Sequence, residues 1–361
     1  MDASLKQQVV DLHKKAFTID AHFDLTYEVA NRRERGQQKV VESDYLHQFK
    51  AGGFDLIVSA IFIHDYYLPE MALRRALDQI GCLHKEIEES PGKFCICRTT
   101  LEAEQARERG EIAIFLSLEG AEPLQDDLHL LRIFYELGVR GLGLVWSRRN
   151  LVGDGVFFDA KKSGSPSGIS HFGVQLIEEA EKIGMFFDVS HLIEIGFDDV
   201  MEICQSPVIA SHSNCRALAS SPRHLTDFQI EAIAQKNGVI GMNSINKFIR
   251  DDVQGIDVSH FVDHLDHVVK VAGIDHVGIG FDLCDSFRDH LHIEQDFPSK
   301  DVIDTHSGLH AFTAELIRRT YEEEEVLKIL GGNFLRVYRA TAGKECRSLF
   351  LGTRIHKRLP P

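Results

Sequence analysis

The chain has 361 residues, a formal net charge of −15, 43% hydrophobic residues and 26% charged residues, a composition typical of globular proteins. Phosphates of nucleic acid and anionic lipid headgroups repel a net negative chain, so we expect neither nucleic acid nor membrane as a partner. No run of about 18 apolar residues occurs, and no transmembrane helix is predicted.

The first predicted element is a helix over residues 1–17, where Leu5, Val9, Leu12 and Ala16 recur at helical spacing. This segment has no apolar core of signal-peptide length. The seven cysteines are odd in number and scattered along the chain, which favours reduced thiols over a disulfide framework. We therefore expect a cytoplasmic protein.

Eight short apolar runs follow, most of them without alternation, as is typical of strands buried on both faces of a parallel sheet. They cover residues 17–21, 56–63, 112–118, 139–145, 185–189, 207–210, 239–242 and 277–281. Helical patterns lie between them, at residues 70–89, 128–137, 172–183, 227–236 and 258–271. This alternation predicts an α/β protein with the (β/α)8 TIM-barrel fold. A doubly wound sheet would alternate in the same way, but eight strands and the ligand pattern below favour the barrel.

We expect one domain over residues 1–361, with an N-terminal helix and a short basic C-terminal tail at 353–361. Residues 95–97 are predicted to form an additional short strand. The acidic run 322–325 is predicted to start a helix, where negative charge interacts favourably with the helix dipole. The irregular stretch 147–170 follows the fourth strand, and a loop of that length is typically functional or disordered.

Residue types that bind metals stand at the ends of five predicted strands. They are His22 and Asp24, Glu119, His191, His212 and Asp282. A barrel brings the carboxyl ends of its strands to one rim, so we expect these side chains to meet there. Residues two apart in extended backbone point the same way, which lets His22 and Asp24 hold one ion.

Imidazoles and carboxylates in this combination favour Zn²⁺. The ligands are too many for one tetrahedral zinc with an open position, but they suffice for two ions if Glu119 bridges them. Two ions roughly 3.5–4 Å apart can share a water, lower its pKa toward ~7 and hold a carbonyl oxygen. Asp282 could then take the proton of that water and deliver it to a leaving amine.

Each of these signals is weak alone, because a buried histidine is often a core residue and an aspartate at a strand end is often a helix N-cap. Their combination with apolar strand interiors favours the metal site. His260, His264 and His267 fall at helical spacing and are expected on an ordinary helix surface. His224 could contact a substrate, but the site does not require it.

At the strand ends the chain resembles the membrane (renal) dipeptidase family, zinc peptidases of family M19 among the amidohydrolase-like metal-dependent barrels. The similarity covers nearly the whole chain. It rests on the segments TIDAHFD, FLSLEGAEPL, GVRGLGLVWSRRN, GMFFDVSHL, VIASHSN, DHVGIGFD and GGNFLRVY. The resemblance implies that His22 and Asp24 bind the first zinc, that Glu119 bridges, and that His191 and His212 bind the second.

The resemblance also implies that Asp282 is the catalytic acid/base. Arg223, in SSPRHLTD, would bind the terminal carboxylate of the substrate from across the rim, since a guanidinium fork binds a carboxylate in a bidentate manner. Without the resemblance, Arg223 would be interpreted as part of a surface salt bridge.

The sequence departs from the family pattern at two positions. Trp146 replaces a histidine that contacts the substrate carbonyl in better-known members, and it either binds substrate or packs at the rim. Cys284 replaces an acid and is expected to be a small buried thiol rather than a soft ligand.

The function implied is a zinc-dependent dipeptidase that hydrolyses the peptide bond with a metal-bridging hydroxide and accepts L-Xaa-D-Xaa dipeptides. An alternative is another amidohydrolase that acts on N-acyl amino acids or cyclic amides, for which Arg223 would be dispensable if the substrate has no free carboxylate. A third possibility is a non-catalytic metal-binding protein, against which the presence of Glu119 and Asp282 argues. The sequence also allows a homodimer.

Overall fold

A parallel sheet of eight strands curls into a nearly closed barrel in the computed structural model, which describes residues 2–157, 164–284 and 300–342. The strands are β1 (Ile19–Phe23), β2 (Leu56–Phe62), β3 (Phe94–Ile96), β4 (Ile112–Glu119), β5 (Val139–Gly143), β6 (Phe186–Asp188), β7 (Val208–Ala210), β8 (Val239–Met242) and β9 (Val277–Ile279). Neighbours follow the order β1-β2-β4-β5-β6-β7-β8-β9, and every ladder is parallel. The predicted (β/α)8 class is therefore confirmed.

The ninth strand, β3, lies beside the first half of β4 and is not part of the ring. It pairs with residues 112–114, whereas β5 pairs with residues 116–119 of the same strand. The extra strand predicted at 95–97 is confirmed. Two hydrogen bonds join β1 to the chain after β9: Phe281 N donates to Asp20 Oδ1 at 3.1 Å and Asp282 N donates to His22 O at 3.3 Å. They hold the two ends of the sheet together.

Thirteen α-helices occur among the described residues. They are α1 (Ala3–Lys15), α2 (Leu25–Glu34), α3 (Leu46–Gly52), α4 (Ala72–Glu89), α5 (Thr100–Glu108), α6 (Leu128–Glu136), α7 (His171–Ile183), α8 (Glu194–Ile203), α9 (Asp227–Gln235), α10 (Val258–Ala272), α11 (Leu309–Arg318), α12 (Glu323–Leu327) and α13 (Asn333–Thr341). Local chemistry sets several of their ends. Thr226 and Gln229 form a reciprocal capping box at the start of α9, and Gly184, with φ of 82°, ends α7 in the left-handed conformation.

The barrel interior gathers alternate apolar residues from most strands. One buried cluster joins Ile19, Val58 and Phe115 with Phe334 and Tyr338 of α13, which packs across the amino-terminal end of the barrel. The residues between them on the strands face the helices in a second, larger cluster. Burial on both faces explains why the strands read as continuous apolar runs rather than alternating ones.

Two glycines allow β8 and β9 to approach the end of β7. A Cβ atom at Gly241 would lie 2.0 Å from the carbonyl oxygen of Ser211, and one at Gly280 would lie 1.7 Å from the same atom. No side chain fits at either position without moving that backbone. Ser211 and the residue after it are thereby held at the carboxyl rim of the barrel.

The predicted elements are confirmed with small differences in bounds. β1 begins and ends two residues later than predicted, because the extended backbone continues through the polar His22. The helix predicted at 322–325 begins with Glu322 as its N-cap. The expectation that His264 lies on a helix surface is wrong: it is fully buried, and its Nε2 lies 2.8 Å from Ile249 O. The predicted C-terminal tail lies outside the described residues. Of the helices described, none is both long and apolar enough to cross a membrane.

Candidate metal centre

The predicted ligand residues lie together at the carboxyl rim of the barrel. Glu119, at the end of β4, is central to them. Its Oε1 lies 3.0 Å from Nε2 of His191 and 3.7 Å from Nε2 of both His22 and His212. Three groups of side chains are close enough to hold an ion, and Glu119 belongs to two of them. One joins it to His191 and His212, the other to His22 and Asp24.

The three imidazoles turn Nε2 toward the centre and Nδ1 toward serine hydroxyls. Nδ1 of His212 lies 2.6 Å from Ser211 Oγ, and Nδ1 of His22 lies 3.4 Å from the same oxygen. Nδ1 of His191 lies 2.8 Å from Ser147 Oγ, in the loop after β5. Each serine oxygen can accept a hydrogen bond from Nδ1–H, which leaves Nε2 free to act as a ligand.

Burial favours the neutral form of these histidines. It lowers the pKa of His22 to about 3 and holds the pKa of His191 and of His212 well below the usual value, and the Arg223 guanidinium acts in the same direction. A neutral imidazole offers the lone pair that a metal requires. Nε2 of His191 and Nε2 of His212 lie only 2.9 Å apart.

Three carboxyl groups meet beside these imidazoles. Burial and then the charge of Asp282 raise the pKa of Asp24 to about 8. Burial, Asp24 and Asp282 raise the pKa of Glu119 well above its usual range. Asp24 occupies the N-cap position of α2 but makes no capping hydrogen bond with its side chain, so its position at a helix start does not explain where the carboxylate points.

Asp282 lies at the edge of the cluster in a fixed orientation. Its Oδ2 accepts a 2.8 Å hydrogen bond from Asn243 Nδ2, and its Oδ1 lies 3.9 Å from His22 Nε2. Burial raises its pKa to about 6, although Arg223 opposes that shift. The half-buried thiol of Cys284 lies 3.1 Å from the Asp282 carbonyl oxygen. Both Asp282 and His191 adopt positive φ values, 55° and 70°.

Arg223 is a buried cation beside the imidazoles. Its Nη2 donates to His212 O at 2.9 Å and lies 3.3 Å from His191 Nε2, and its Nη1 donates to Ser213 Oγ at 3.3 Å. The expectation that it lies across the rim from the ligands is therefore wrong. Within the described residues it forms no ion pair with a carboxylate at 4.0 Å or less, so it is not the surface salt bridge that its residue type alone suggested.

Trp146 lies half-buried on the β2 and β5 side of the rim. Its ring centroid is 5.9 Å from that of His191 and 5.1 Å from that of Phe62. The guanidinium carbon of Arg148 lies 5.0 Å from the indole ring, and Arg148 Nε donates to Glu122 Oε1 at 2.6 Å. The indole is thus packed between an aromatic ring and an anchored cation, with one side near the centre.

Comparison with known proteins identifies the family. The family model for the membrane dipeptidases, peptidase family M19, matches residues 6–348. This chain belongs to that family. A Klebsiella pneumoniae protein encoded in the pqqA 5′ region is 32% identical over 265 residues, which are 72% of this chain and 93% of that protein. The dipeptidase verJ of Clonostachys rogersoniana is 29% identical over 268 residues, which are 74% of this chain and 65% of the length of verJ.

A solved structure supports the same assignment. The metallo peptidase from Rhodobacter sphaeroides, liganded with a phosphinate mimic of the dipeptide L-Ala-D-Ala, matches with a TM-score of 0.79 and 29% identity. The match covers 90% of this chain and 99% of that one. The resemblance to the M19 family is confirmed, and with it the class of enzyme: this M19 protein is a metallo-dipeptidase, and the family is metal-dependent.

The residues present fit such a metal. In the part of the chain that the structure describes, His22 Nε2 and Asp24 Oδ1 are buried without a hydrogen-bond partner, an arrangement that costs free energy unless an ion satisfies them. Nε2 of His191 lies 2.9 Å from Nε2 of His212 and 3.0 Å from Glu119 Oε1, so a cation among them would be in reach of all three atoms. Imidazole nitrogens and carboxylate oxygens are the donors that zinc binds in proteins.

Sequence reasoning missed four residues that hold these side chains in place. Asp188 and Ser211 lie behind the histidines, Ser147 contacts His191, and Asn243 contacts Asp282. All four follow or end a barrel strand. The available signal was the position of a polar residue at a strand end, which applies equally to many residues without a role.

Proposed function

We propose that this M19 protein is a two-zinc dipeptidase in which Glu119 bridges the ions. His22 and Asp24 would hold one zinc, and His191 and His212 the other. The observation that carries the proposal is the position of Glu119 Oε1, within 3.7 Å of Nε2 of all three histidines. When bound, the zinc pair would supply Lewis acidity toward the scissile carbonyl and acidify a water.

Asp282 is proposed as the acid/base. Asn243 holds Oδ2 with a hydrogen bond, and Oδ1 lies 3.9 Å from His22 Nε2 at the centre. A pKa raised to about 6 by burial suits a group that must both accept and release a proton near neutral pH. In this mechanism Asp282 takes the proton of the attacking water and transfers it to the leaving amine.

Arg223 is proposed to bind the α-carboxylate of the substrate. A buried guanidinium without a carboxylate partner is costly, and a substrate carboxylate would supply the missing charge through two parallel hydrogen bonds. Binding the free carboxylate next to the scissile bond would select dipeptides. The Rhodobacter relative, liganded with a mimic of L-Ala-D-Ala, supports L-Xaa-D-Xaa dipeptides as the substrate class. Trp146 would line the site on the β5 side.

The alternative is an amidohydrolase acting on N-acyl amino acids or cyclic amides at the same centre. An N-acyl amino acid retains the carboxylate that Arg223 would bind but has no free amine. Rates for L-Ala-D-Ala, L-Ala-L-Ala, N-acetyl-D-Ala and a cyclic amide therefore separate the candidates.

The experiment combines metal analysis with that substrate panel. Protein stripped with chelator and reconstituted with zinc is expected to bind two ions per chain at saturation and to hydrolyse L-Ala-D-Ala fastest. Saturation at one ion would contradict the bridged pair. Faster turnover of the acylated or cyclic compound would favour the alternative activity.

A further inference from the structure

A single buried hydroxyl, that of Ser211, connects two of the proposed zinc ligands to a carboxylate behind them. Ser211 Oγ lies 2.6 Å from Nδ1 of His212 and 3.4 Å from Nδ1 of His22, and it donates a short hydrogen bond to Oδ2 of Asp188. All four residues are buried. Among the described residues the hydroxyl has three polar neighbours, and Ser211 is only 2% exposed.

The hydrogen-bonding capacity of a serine determines how these contacts are shared. A hydroxyl has one proton to donate and two lone pairs to accept with. A carboxylate only accepts, so the proton of Ser211 goes to Asp188 Oδ2. Both lone pairs of Oγ then face Nδ1 of His212 and Nδ1 of His22. Each imidazole must present Nδ1–H to that oxygen for its contact to be a hydrogen bond.

The backbone keeps Asp188 in the accepting role. Its Oδ1 accepts from the backbone N–H groups of Ser190 and Ser211, both at 2.9 Å. The orientation of the carboxylate is therefore fixed by β6 and by the residue after β7. Asp188 is near enough to His22 and His212 to be considered a third ligand, but its oxygens already accept from three donors. By contrast, His22 Nε2 has no hydrogen-bond partner among the described residues.

We propose that Ser211, oriented by Asp188, is a positioning residue that sets the Nδ1–H tautomer of His22 and of His212. The inference rests on the proposed zinc centre, because protonation at Nδ1 leaves the Nε2 lone pair of each ring available to bind a metal. One hydroxyl thereby couples a ligand of each proposed ion. Hydrogen-bond partners behind metal-binding histidines typically contribute 10–100-fold to metal affinity.

The test uses two variants of the full chain. Ser211→Ala removes the acceptor. Asp188→Asn keeps the shape but can place an N–H donor against Ser211 Oγ, which turns the hydroxyl proton toward a histidine. Selective ¹⁵N-histidine labelling of metal-free protein reports the tautomer of each ring, and zinc titration reports affinity. Wild type is expected to show Nδ1–H on His22 and His212. Both variants are expected to gain Nε2–H tautomer and to bind zinc 10–100-fold more weakly.

Ser59→Ala is the matched control, because Ser59 is an equally buried serine whose hydroxyl accepts from Thr26 N rather than from an imidazole. It should change neither tautomers nor zinc affinity, and the thermal melt of each metal-free variant checks folding. Wild-type tautomers and affinity in Ser211→Ala, or Nε2–H rings in the wild type, would overturn the inference. If the wild type shows the expected tautomers but binds no zinc, the two-zinc proposal fails instead.

Discussion

At the scale of single residues, Asp282 combines a fixed carboxylate with a pKa near neutrality. Asparagine at this position keeps the volume and can still pair with Asn243, but it cannot carry a proton. We predict that Asp282→Asn retains both zinc ions and loses roughly 10²–10⁴-fold in kcat. Zinc analysis and steady-state rates on L-Ala-D-Ala measure this. The control is Asp251→Asn, which changes an exposed carboxylate that accepts a hydrogen bond from Ser220. Near-normal turnover of the Asp282→Asn variant would show that Asp282 is not the acid/base.

Arg223 gives a prediction about substrate charge. Hydrogen bonds to charged groups contribute about 1.5–3 kcal/mol, so amidation of the dipeptide C-terminus should cost roughly ten- to a hundredfold in kcat/KM. Arg223→Met should impose a similar loss on the free dipeptide and little on the amide, which never used the guanidinium. Arg250→Met, at an exposed arginine, should leave both rates unchanged. Equal rates for free and amidated dipeptides in the wild type would contradict the assignment.

Residues at this scale were predictable where chemistry and position coincide. His22, Glu119 and His212 carry ligand types at strand ends, and a barrel brings such ends together. Arg223 could be assigned only through the family resemblance, because nothing in its sequence neighbourhood distinguishes it from a surface arginine. The role of Ser211 could not be predicted, because it depends on the direction of three hydrogen bonds and the spacing of residues in the sequence does not determine that direction.

At the scale of elements, helix α1 packs against α11 and α3 through a buried histidine. His13 Nε2 lies 2.8 Å from Thr313 Oγ1, and Nδ1 lies 3.0 Å from Gly52 O. Burial, followed by the charge of His310, lowers the pKa of His13 to about 4, below the value of about 6.5 expected in the unfolded chain. The unfolded state therefore binds more protons between these values, so stability rises with pH there and is lost on acidification.

We predict that this contribution has a slope of up to about 1.4 kcal/mol per pH unit between roughly pH 4 and pH 6.5. His13→Gln should be less stable than wild type at pH 7 but should lose less stability on acidification to pH 5. Urea unfolding midpoints at the two pH values measure the difference. His84→Gln, at an exposed histidine, should follow the wild type, and an unchanged pH dependence in His13→Gln would show that His13 does not carry it.

Most helices and strands could be predicted from the sequence. A strand that is buried on both faces consists of consecutive apolar residues and can be recognised by that pattern. The eight runs became the eight barrel strands. The same rule failed at β1, where polar His22 remains in extended backbone because its side chain belongs to the rim. A different expectation failed for His264. Helical spacing placed it on a helix surface, whereas α10 buries its ring, which hydrogen-bonds to Ile249 O and accepts from Cys215 N. Helical spacing gives the face of a residue but not what packs on it.

At the scale of the whole molecule, the barrel concentrates three carboxyl groups and three imidazoles where its strands converge. Metal binding to the folded state alone should stabilise it, by about 2.7 kcal/mol per site when free zinc is 100 times the dissociation constant. We predict that chelator-stripped protein melts several degrees lower than zinc-loaded protein. Differential scanning calorimetry of both forms measures this. Asp282→Asn should keep the difference, whereas identical melting temperatures for the two wild-type forms would argue against a structural contribution of zinc.

The left-handed backbone at His191 and Asp282 has a consequence for how this lineage can change. At positive φ, histidine and aspartate pay a conformational cost that glycine, which has no Cβ atom, does not pay. In the proposed mechanism, metal binding requires the histidine and proton transfer requires the aspartate. A duplicated copy released from selection for that chemistry should drift at these two positions before its apolar strands decay, and relieving the cost should leave it more heat-resistant than its parent. Homologous barrels with glycine at both positions would then be former enzymes, and the two glycines would identify them in the sequence.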